Sequence, residues 1–474
     1  MFREKKVFAG SRIRQLRQAM GLSQAAMAKA LDVSGSYLNL VESDQRPLST
    51  QLLLRLAEVY DLDLRDLRGD AQARLAAELT EMLTDPVFGK KMPAKAAIVE
   101  LAAGLPDLAT AFLTLYAAYR KSIVSRRDDV RPEMDRGLPP RDERFPIEEV
   151  RDHFQRNGNY IEELDEAAER LYATLSGTDE MYTCLRAHLW DRHRVKVVVL
   201  PLHAMPDVQR RFDRHSQRLF LSEMLPIPSR IFQLAVQIAV LEQGELMNRL
   251  IDGAELKTEE ARRLYRIGLA NYFAGALMMP YEPFLQAAES VRYDVDPLAR
   301  RFGASIEQVS HRLTTLQKRT RRGVPFFLLR LDNAGNISKR FSAGGFHFAR
   351  FGGTCSRWRV HDAFSMPGQI IVQPVEMPDA TRYLTISRTV STAQGAYPDR
   401  GRKLVVSLGC EAAYADRIVY GDGIDMTGEH AATPIGVTCR MCERPNCSAR
   451  AFPPMTRTLT IDVERKGFSA FEFG

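Results

Sequence analysis

Apolar residues recur at helical spacing in five short segments near the amino terminus, around 12–19, 24–31, 35–42, 50–58 and 63–67, separated by Gly21, Val33-Ser34 and Arg46-Pro47. This pattern predicts a compact helical unit. Further helical patterns follow over 75–83, 95–103 and 108–124. Residues 126–146, with mixed charge, prolines at 132, 139 and 140 and Gly137, read as a linker. A long helix over 147–175 and a second one then precede an apolar β-type run at 195–200, and alternation at 217–222 predicts another strand. Helices are expected over 229–252, 258–279 and 306–317. After Gly323 short strands alternate with turn residues at 332–335, 344–345 and 352–353. The expected fold is α+β and multidomain: an all-α unit at 1–70, a helical connector at 71–125, the linker at 126–146, a mixed α/β domain at 147–322 and a strand-rich α+β domain at 323–474.

Composition narrows the class. Of 474 residues 45% are hydrophobic and 26% charged, which argues against wholesale disorder, collagen and coiled coil. No run approaches the ~20 apolar residues of a membrane helix and residues 1–8 hold no apolar signal core, so a cytoplasmic protein without a membrane partner is expected. Six cysteines are too few for a disulfide scaffold. Net charge is +7, and between Arg300 and Val360 thirteen Lys/Arg face only Glu307 and Asp332, which suggests a phosphate-bearing partner there.

The stretch from Ser23 to Leu31, followed by Val33 to Glu42, has the layout of a helix-turn-helix. Ser23 and Ser34 can cap the two helices, while Ala28, Leu31, Val33, Leu38 and Val41 supply apolar contacts between them. The second helix would enter the major groove of double-stranded DNA. Ser34, Ser36, Tyr37 and Asn39 could then reach phosphates and base edges, with Gln24 and Arg46 on phosphates. Residues 1–70 carry eleven bases and nine acids, so this unit alone has little electrostatic pull, and a dimer or the distant basic region would have to add affinity. The sequence, through Gly10 to Arg17 and Ser36-Tyr37-Leu38-Asn39, resembles the repressor-type helix-turn-helix of the XRE family.

The segments Arg230 to Glu242 and Leu269 to Pro280 are similar to the paired helices of the ImmA/IrrE metallopeptidase-like group. An active zinc peptidase would carry H-E-x-x-H on the first helix. The corresponding positions here are Val236, Gln237 and Val240, which offer neither metal ligands nor a base, so a non-enzymatic scaffold is expected over the alternative of a peptidase fused to a DNA reader. Lys196, Arg262 and Tyr272 are candidate ligand contacts, since a phosphate or acyl ligand calls for a cation and a hydroxyl beside apolar walls.

Cys439, Cys442 and Cys447 form C-x2-C-x4-C, and Cys410 can join from a neighbouring strand to complete four thiolates. Such a set suits zinc or an iron–sulfur cluster. Cys184 and Cys355 stand alone and read as small buried hydrophobes. Together with Gly344-Gly345-Phe346-His347-Phe348, Phe351-Gly352-Gly353-Thr354-Cys355, Ala432-Thr433-Pro434-Ile435-Gly436 and Arg450-Ala451-Phe452-Pro453, the cysteine motif resembles that of the short-chain fatty acyl-CoA regulators, from Gly10 to about Pro454.

That resemblance implies a transcription factor with a short acyl-CoA effector and an iron–sulfur cluster of the 4Fe-4S type on Cys410, Cys439, Cys442 and Cys447, zinc being the alternative metal. The basic run Arg312, Lys318, Arg319, Arg321 and Arg322 could hold the phosphates of such a ligand. A ligand-biased homodimer or higher homo-oligomer would couple the ligand to DNA reading. A redox-sensing regulator is the rival reading.

Overall fold

The computed structural model describes residues 13–14, 17, 22–42, 45–46, 52, 55–56, 59–60, 70–83, 85–88, 93–128, 146–175, 180–346, 348, 354–391, 401–426, 428, 431–454, 457–461, 464, 467–469 and 471–473. The helix expected over 63–67 and most of the linker, 129–145, lie outside them. The chain divides into two compact units, 1–138 and 139–474.

In the first unit α1 (Gln24–Ala30) and α2 (Gly35–Glu42) carry the helix-turn-helix pattern. Ile13, Met27, Ala28, Leu31, Leu38, Val41, Leu52 and Leu56 close over one another in a small core. Three more helices, α3 (Asp70–Leu83), α4 (Lys95–Gly104) and α5 (Pro106–Asp128), bury Leu79, Met82, Ile98, Ala102 and Ala109 in another. Among the described residues no single helix is long and apolar enough to cross a membrane.

The second unit begins with α6 (Pro146–Arg156) and α7 (Glu162–Leu175). The single helix expected over 147–175 is therefore two. Gly158 and Asn159 both take left-handed backbone angles (φ +60° and +58°), which ends the first helix, and Asn159 Nδ2 donates to Ser342 O at 3.0 Å. Then come α8 (Met181–His193), β1 (Lys196–Leu200), β2 (Arg210–Asp213) and β3 (Arg218–Ser222), in a small sheet ordered β1-β3-β2. The expected helix over 229–252 breaks at Gln243 into α9 (Ile227–Glu242) and α10 (Gly244–Gly253). Helix α11 (Glu259–Met278), capped by Thr258, follows, its second half almost wholly buried.

Two helices were not expected: α12 (Tyr281–Ser290) and α13 (Val295–Arg301). Pro283 and Pro297 lie in their first turns, where a missing N–H costs nothing, so the prolines mark starts rather than breaks. Helix α14 (Ile306–Leu313) opens on a capping box between Ser305 and Gln308.

The strand-rich end forms a six-stranded sheet from β4 (Phe327–Asp332), β5 (Ile337–Ser342), β6 (Ile371–Glu376), β7 (Arg382–Ser391), β8 (Lys403–Glu411) and β9 (Thr433–Pro434), ordered β5-β4-β8-β7-β6-β9. One face, with Leu328, Leu384, Ile386, Val406 and Leu408, belongs to the same core as the helices of 147–322. The opposite face packs Phe327, Leu329, Tyr383 and Val405 against Phe346, Trp358 and Ile435. Residues on either side of 322/323 thus share a core within the second unit.

Candidate functional site

The DNA-reading pair is built by short capped helices. Ser23 Oγ accepts from Ala26 N, and Ser34 Oγ from Tyr37 N, each at 3.1 Å. Asp32 takes φ +53° in the intervening turn, and Arg55 Nη1 donates to Asp32 Oδ2 at 3.0 Å and Leu31 O at 2.9 Å. Behind the second helix the buried carboxylate of Glu42 receives Arg17 Nε at 2.7 Å and Nη2 at 3.0 Å, and Gln24 Nε2 at 3.1 Å. Gln24 Nε2 also lies 3.3 Å from Asn39 Oδ1. Glu42 was not singled out from the sequence, although a lone acid closing an apolar recognition helix was the visible signal. Ser34, Ser36, Asn39 and Arg46 are exposed and Gln24 and Tyr37 half-buried, with the Arg46 guanidinium 5.8 Å from the Tyr37 ring centroid.

In the second unit the helix similar to that of the peptidases offers no metal ligand at the motif positions. Gln237, 2% exposed, accepts Arg210 Nη1 on Oε1 at 3.2 Å, while Val236 is buried and Val240 exposed. Beside it lies a cavity of about 270 Å³ whose walls include Phe232, Gly275, Met279, Asn271, His311 and Lys339.

The proposed ligand contacts are not gathered there as a group. Tyr272 and Arg312 line the cavity, but their polar atoms point to Asp165. Arg312 Nη1 donates to Asp165 Oδ2 and Thr315 Oγ1 at 3.0 Å each, its Nη2 bonds Asp165 Oδ1, and its Nε donates to Met279 O at 2.9 Å. The side chains of Arg312 and Asp165 are each only 2% exposed. Tyr272 donates to Asp165 and accepts Ile161 N at 3.0 Å; burial and the Asp165 charge hold its phenol well above the ordinary range. As a phosphate contact Arg312 is therefore corrected to a buried ion pair, and Tyr272 to its partner, because a low-dielectric core requires every charge and hydroxyl to be matched.

The other positions scatter. Arg262 pairs with Asp252 and Glu259 at the start of α11, about 15 Å of helix from Tyr272. Lys196 is exposed at the start of β1. Lys318, Arg319, Arg321 and Arg322 lie in the connector between α14 and β4, where Arg321 meets Glu282 and, at 3.4 Å, Glu289. Tyr281 stands between this connector and the core: its ring faces Arg312 at 5.7 Å, and its hydroxyl accepts Lys318 N and donates to Arg321 O.

His311, edge-on to Phe341 with centroids 4.4 Å apart, is pushed down to about 3 by burial and by the nearby Lys339 charge. It stays neutral while an unfolded histidine protonates below ~6.5. The unfolded state therefore binds more protons, and stability falls as pH drops from ~6.5 towards 3, by at most about 1.4 kcal/mol per pH unit. His311→Gln is expected to flatten that acid slope in urea titrations at pH 7 and pH 5; an unchanged slope would contradict the assignment.

The cysteines lie differently from the expectation. Both faces of β8 are buried, and Cys410 points to the helical side with Leu384, Val406 and Leu408. Burial pushes its thiol up to about 12, with Glu411 adding to the rise. Cys355 instead belongs to the core on the opposite face, with Ile435. Burial raises its thiol, Gly436 and Arg357 donate backbone N–H groups to it, and the Cys439 and Cys442 charges raise it further.

The expected role of Cys410 is therefore corrected: the cysteine beside the loop is Cys355, read from the sequence as an isolated hydrophobe. The repeated Phe351-Gly352-Gly353-Thr354-Cys355 glycines were its only signal. Gly436 lets the loop close, since a Cβ there would lie 2.8 Å from Cys442 Cβ. Buried Arg450 ties the loop from within, donating to the carbonyls of Cys439 (3.1 Å), Cys442 (3.0 Å) and Arg444 (2.7 Å). Ser356 Oγ donates to Ala449 O at 2.9 Å, drawing the Cys355 segment to the turn after Cys447. Cys355 thus lies beside the loop that carries Cys439 and Cys442, on the side of the sheet opposite Cys410.

Residues 13–67 match the helix-turn-helix family, residues 190–314 the IrrE N-terminal-like domain and residues 315–471 the short-chain fatty acyl coenzyme A regulator, C-terminal family. A propionyl-CoA carboxylase regulator of Cereibacter sphaeroides is 41% identical over 98% of this chain and 99% of its own length. Two Mycobacterium tuberculosis proteins named HTH-type transcriptional regulators are also similar: RamB at 39% identity (98% of each chain) and PrpR at 40% (96% of this chain, 94% of its own). A solved structure of a Mycobacterium tuberculosis transcriptional regulator matches with a TM-score of 0.66 at 39% identity, covering 69% of this chain and 99% of that one. A helix-turn-helix joined to an IrrE-like domain and a cysteine-bearing sheet defines a DNA-binding regulator of transcription. Within that class, the chain belongs to the short-chain fatty acyl coenzyme A regulators.

Proposed function

We propose that this protein controls transcription of short-chain acyl-CoA metabolism of the propionyl-CoA type, with a short acyl-CoA as effector and an iron–sulfur cluster held by Cys355, Cys439, Cys442 and Cys447. The observation that carries this reading is the likeness over 98% of the chain to a propionyl-CoA carboxylase regulator. The chain acts as a non-enzymatic regulator, since Val236, Gln237 and Val240 supply no metal ligand or base. When bound, the cluster supplies redox and oxygen sensitivity, which four thiolates support. Arg450 and Gly436 hold the loop in shape, and the backbone N–H groups on Cys355 stabilise its thiolate.

The effector's phosphates fit the cationic connector Lys318 to Arg322, and the cavity is large enough for a short acyl chain against Phe232 and Met279 but not for a whole coenzyme A. Tyr281 touches both regions. The protein works as a homodimer or higher homo-oligomer whose two readers span half-sites, so an effector that favours one spacing changes operator affinity. A mobility-shift titration on DNA selected in vitro, with and without propionyl-CoA, tests this: the affinity changes with propionyl-CoA and not with inorganic phosphate. Equal affinity in all three conditions would refute the effector role.

At the reader, Asn39→Ala is expected to weaken binding to the selected DNA by about 1–3 kcal/mol through a lost base contact, with little change in melting because the side chain is exposed. Fluorescence anisotropy checks this, and wild-type affinity in the variant would remove Asn39 from the reading surface.

A further inference from the structure

A cluster of groups able to hold a metal lies at the carboxyl end of α9. His188 and His193 of α8 both direct Nε2 at one oxygen, Oε1 of Glu242, at 2.6 and 2.7 Å. The three ligand atoms all lie within 4.8 Å of one another. Five residues apart on a helix, two side chains diverge by about 140°, so this convergence is a product of where α8 ends and how it packs on α9.

The surroundings favour a cation. His193 is the last residue of α8 and Glu242 the last of α9, so the negative ends of two helices meet here. The three side chains are sheltered, 12%, 20% and 10% exposed. Arg192 lies 3.6 Å from the carboxylate, but its side chain is 67% exposed and can turn into solvent. Two imidazoles and a carboxylate are a donor set that zinc and its neighbours take.

We propose that His188, His193 and Glu242 form a three-ligand site for a divalent transition-metal ion such as zinc, which links α8 to α9 and is distinct from both the degenerate peptidase motif and the cysteine loop. In the metal-free state both Nε2–H groups donate to Glu242; in the bound state each ring carries its proton on Nδ1 and offers the Nε2 lone pair. The Val240 position is only two residues from Glu242, but its side chain gives no donor and the site draws its histidines from another helix.

Cobalt(II) titration of the full-length protein under anaerobic conditions tests the site. Thiolate-bound cobalt gives an intense sulfur-to-metal charge-transfer band, whereas an imidazole–carboxylate site gives only weaker visible bands. The wild type is expected to take up one equivalent without the sulfur band, and His188→Gln/His193→Gln to lose that equivalent alone. Cys439→Ser/Cys442→Ser should keep it and lose any sulfur band. Glu242→Gln, which retains a hydrogen-bonding oxygen, should also lose it with an unchanged circular dichroism spectrum, so a folding defect in the histidine variant leaves the test intact. A wild type that takes up no such equivalent, or a folded Glu242→Gln protein that binds it as well as the wild type, would overturn the proposal.

Discussion

Cys355→Ser protein, purified without oxygen, is expected to lose the iron, the acid-labile sulfide and the visible absorption of the wild type, while Cys410→Ser keeps all three. The contrast follows from the sides of the sheet the two residues occupy. Cys355 lies in the core that holds Ile435 and is sensed by the charges of Cys439 and Cys442. Cys410 is 1% exposed among Leu384, Val406 and Leu408, on the other face of β8. Exchanging its sulfur for a hydroxyl buries a polar group, at a cost of about 1–3 kcal/mol, without touching the donor set. Loss of the chromophore in Cys410→Ser, with retention in Cys355→Ser, would reverse the assignment. Circular dichroism separates loss of the cluster from loss of the fold.

A second large effect is expected at the Asp165–Arg312 pair. Asp165→Asn removes the charge that matches Arg312 in a site where both side chains are 2% exposed, and the unpaired guanidinium should lower stability by about 3–5 kcal/mol. Because Tyr272 donates to the same carboxylate and the Ile161 amide donates to Tyr272, the loss spreads to the junction of α7 and α11. Replacing both partners with apolar residues of similar volume, Asp165→Leu with Arg312→Met, should cost far less than either single change. Urea denaturation of Asp165→Asn, of Asp165→Leu and Arg312→Met alone, and of the double variant decides the matter. A single variant as stable as the wild type would mean that water reaches the pair and that Arg312 is available to a ligand after all.

Several features were legible because their physics is local. The apolar spacing in 24–42 produces two helices around Leu31, Leu38 and Val41, and the serines before them cap as expected. The apolar run at 195–200 and the alternation at 217–222 became paired strands, and the loss of H-E-x-x-H was visible by reading residue types. Where a local signal was misread, an identifiable residue was responsible. Gly158-Asn159 broke a predicted helix through left-handed backbone, and Pro283 and Pro297 began helices that a search for uninterrupted patterns passed over.

The chain's amino-acid order by itself determined the helix-turn-helix, the family likeness and the close spacing of Cys439, Cys442 and Cys447, since each rests on residues near one another along the backbone. Tertiary structure alone decided which side of the sheet Cys410 and Cys355 each occupy. Strand β8 is buried on both faces, so its apolar run carries no alternation from which the direction of Cys410 could be read. The same holds for the cations. Charge is a property of composition, but whether Arg312 meets a phosphate or Asp165 depends on a contact across 147 positions, and only the packed core brings those two groups together.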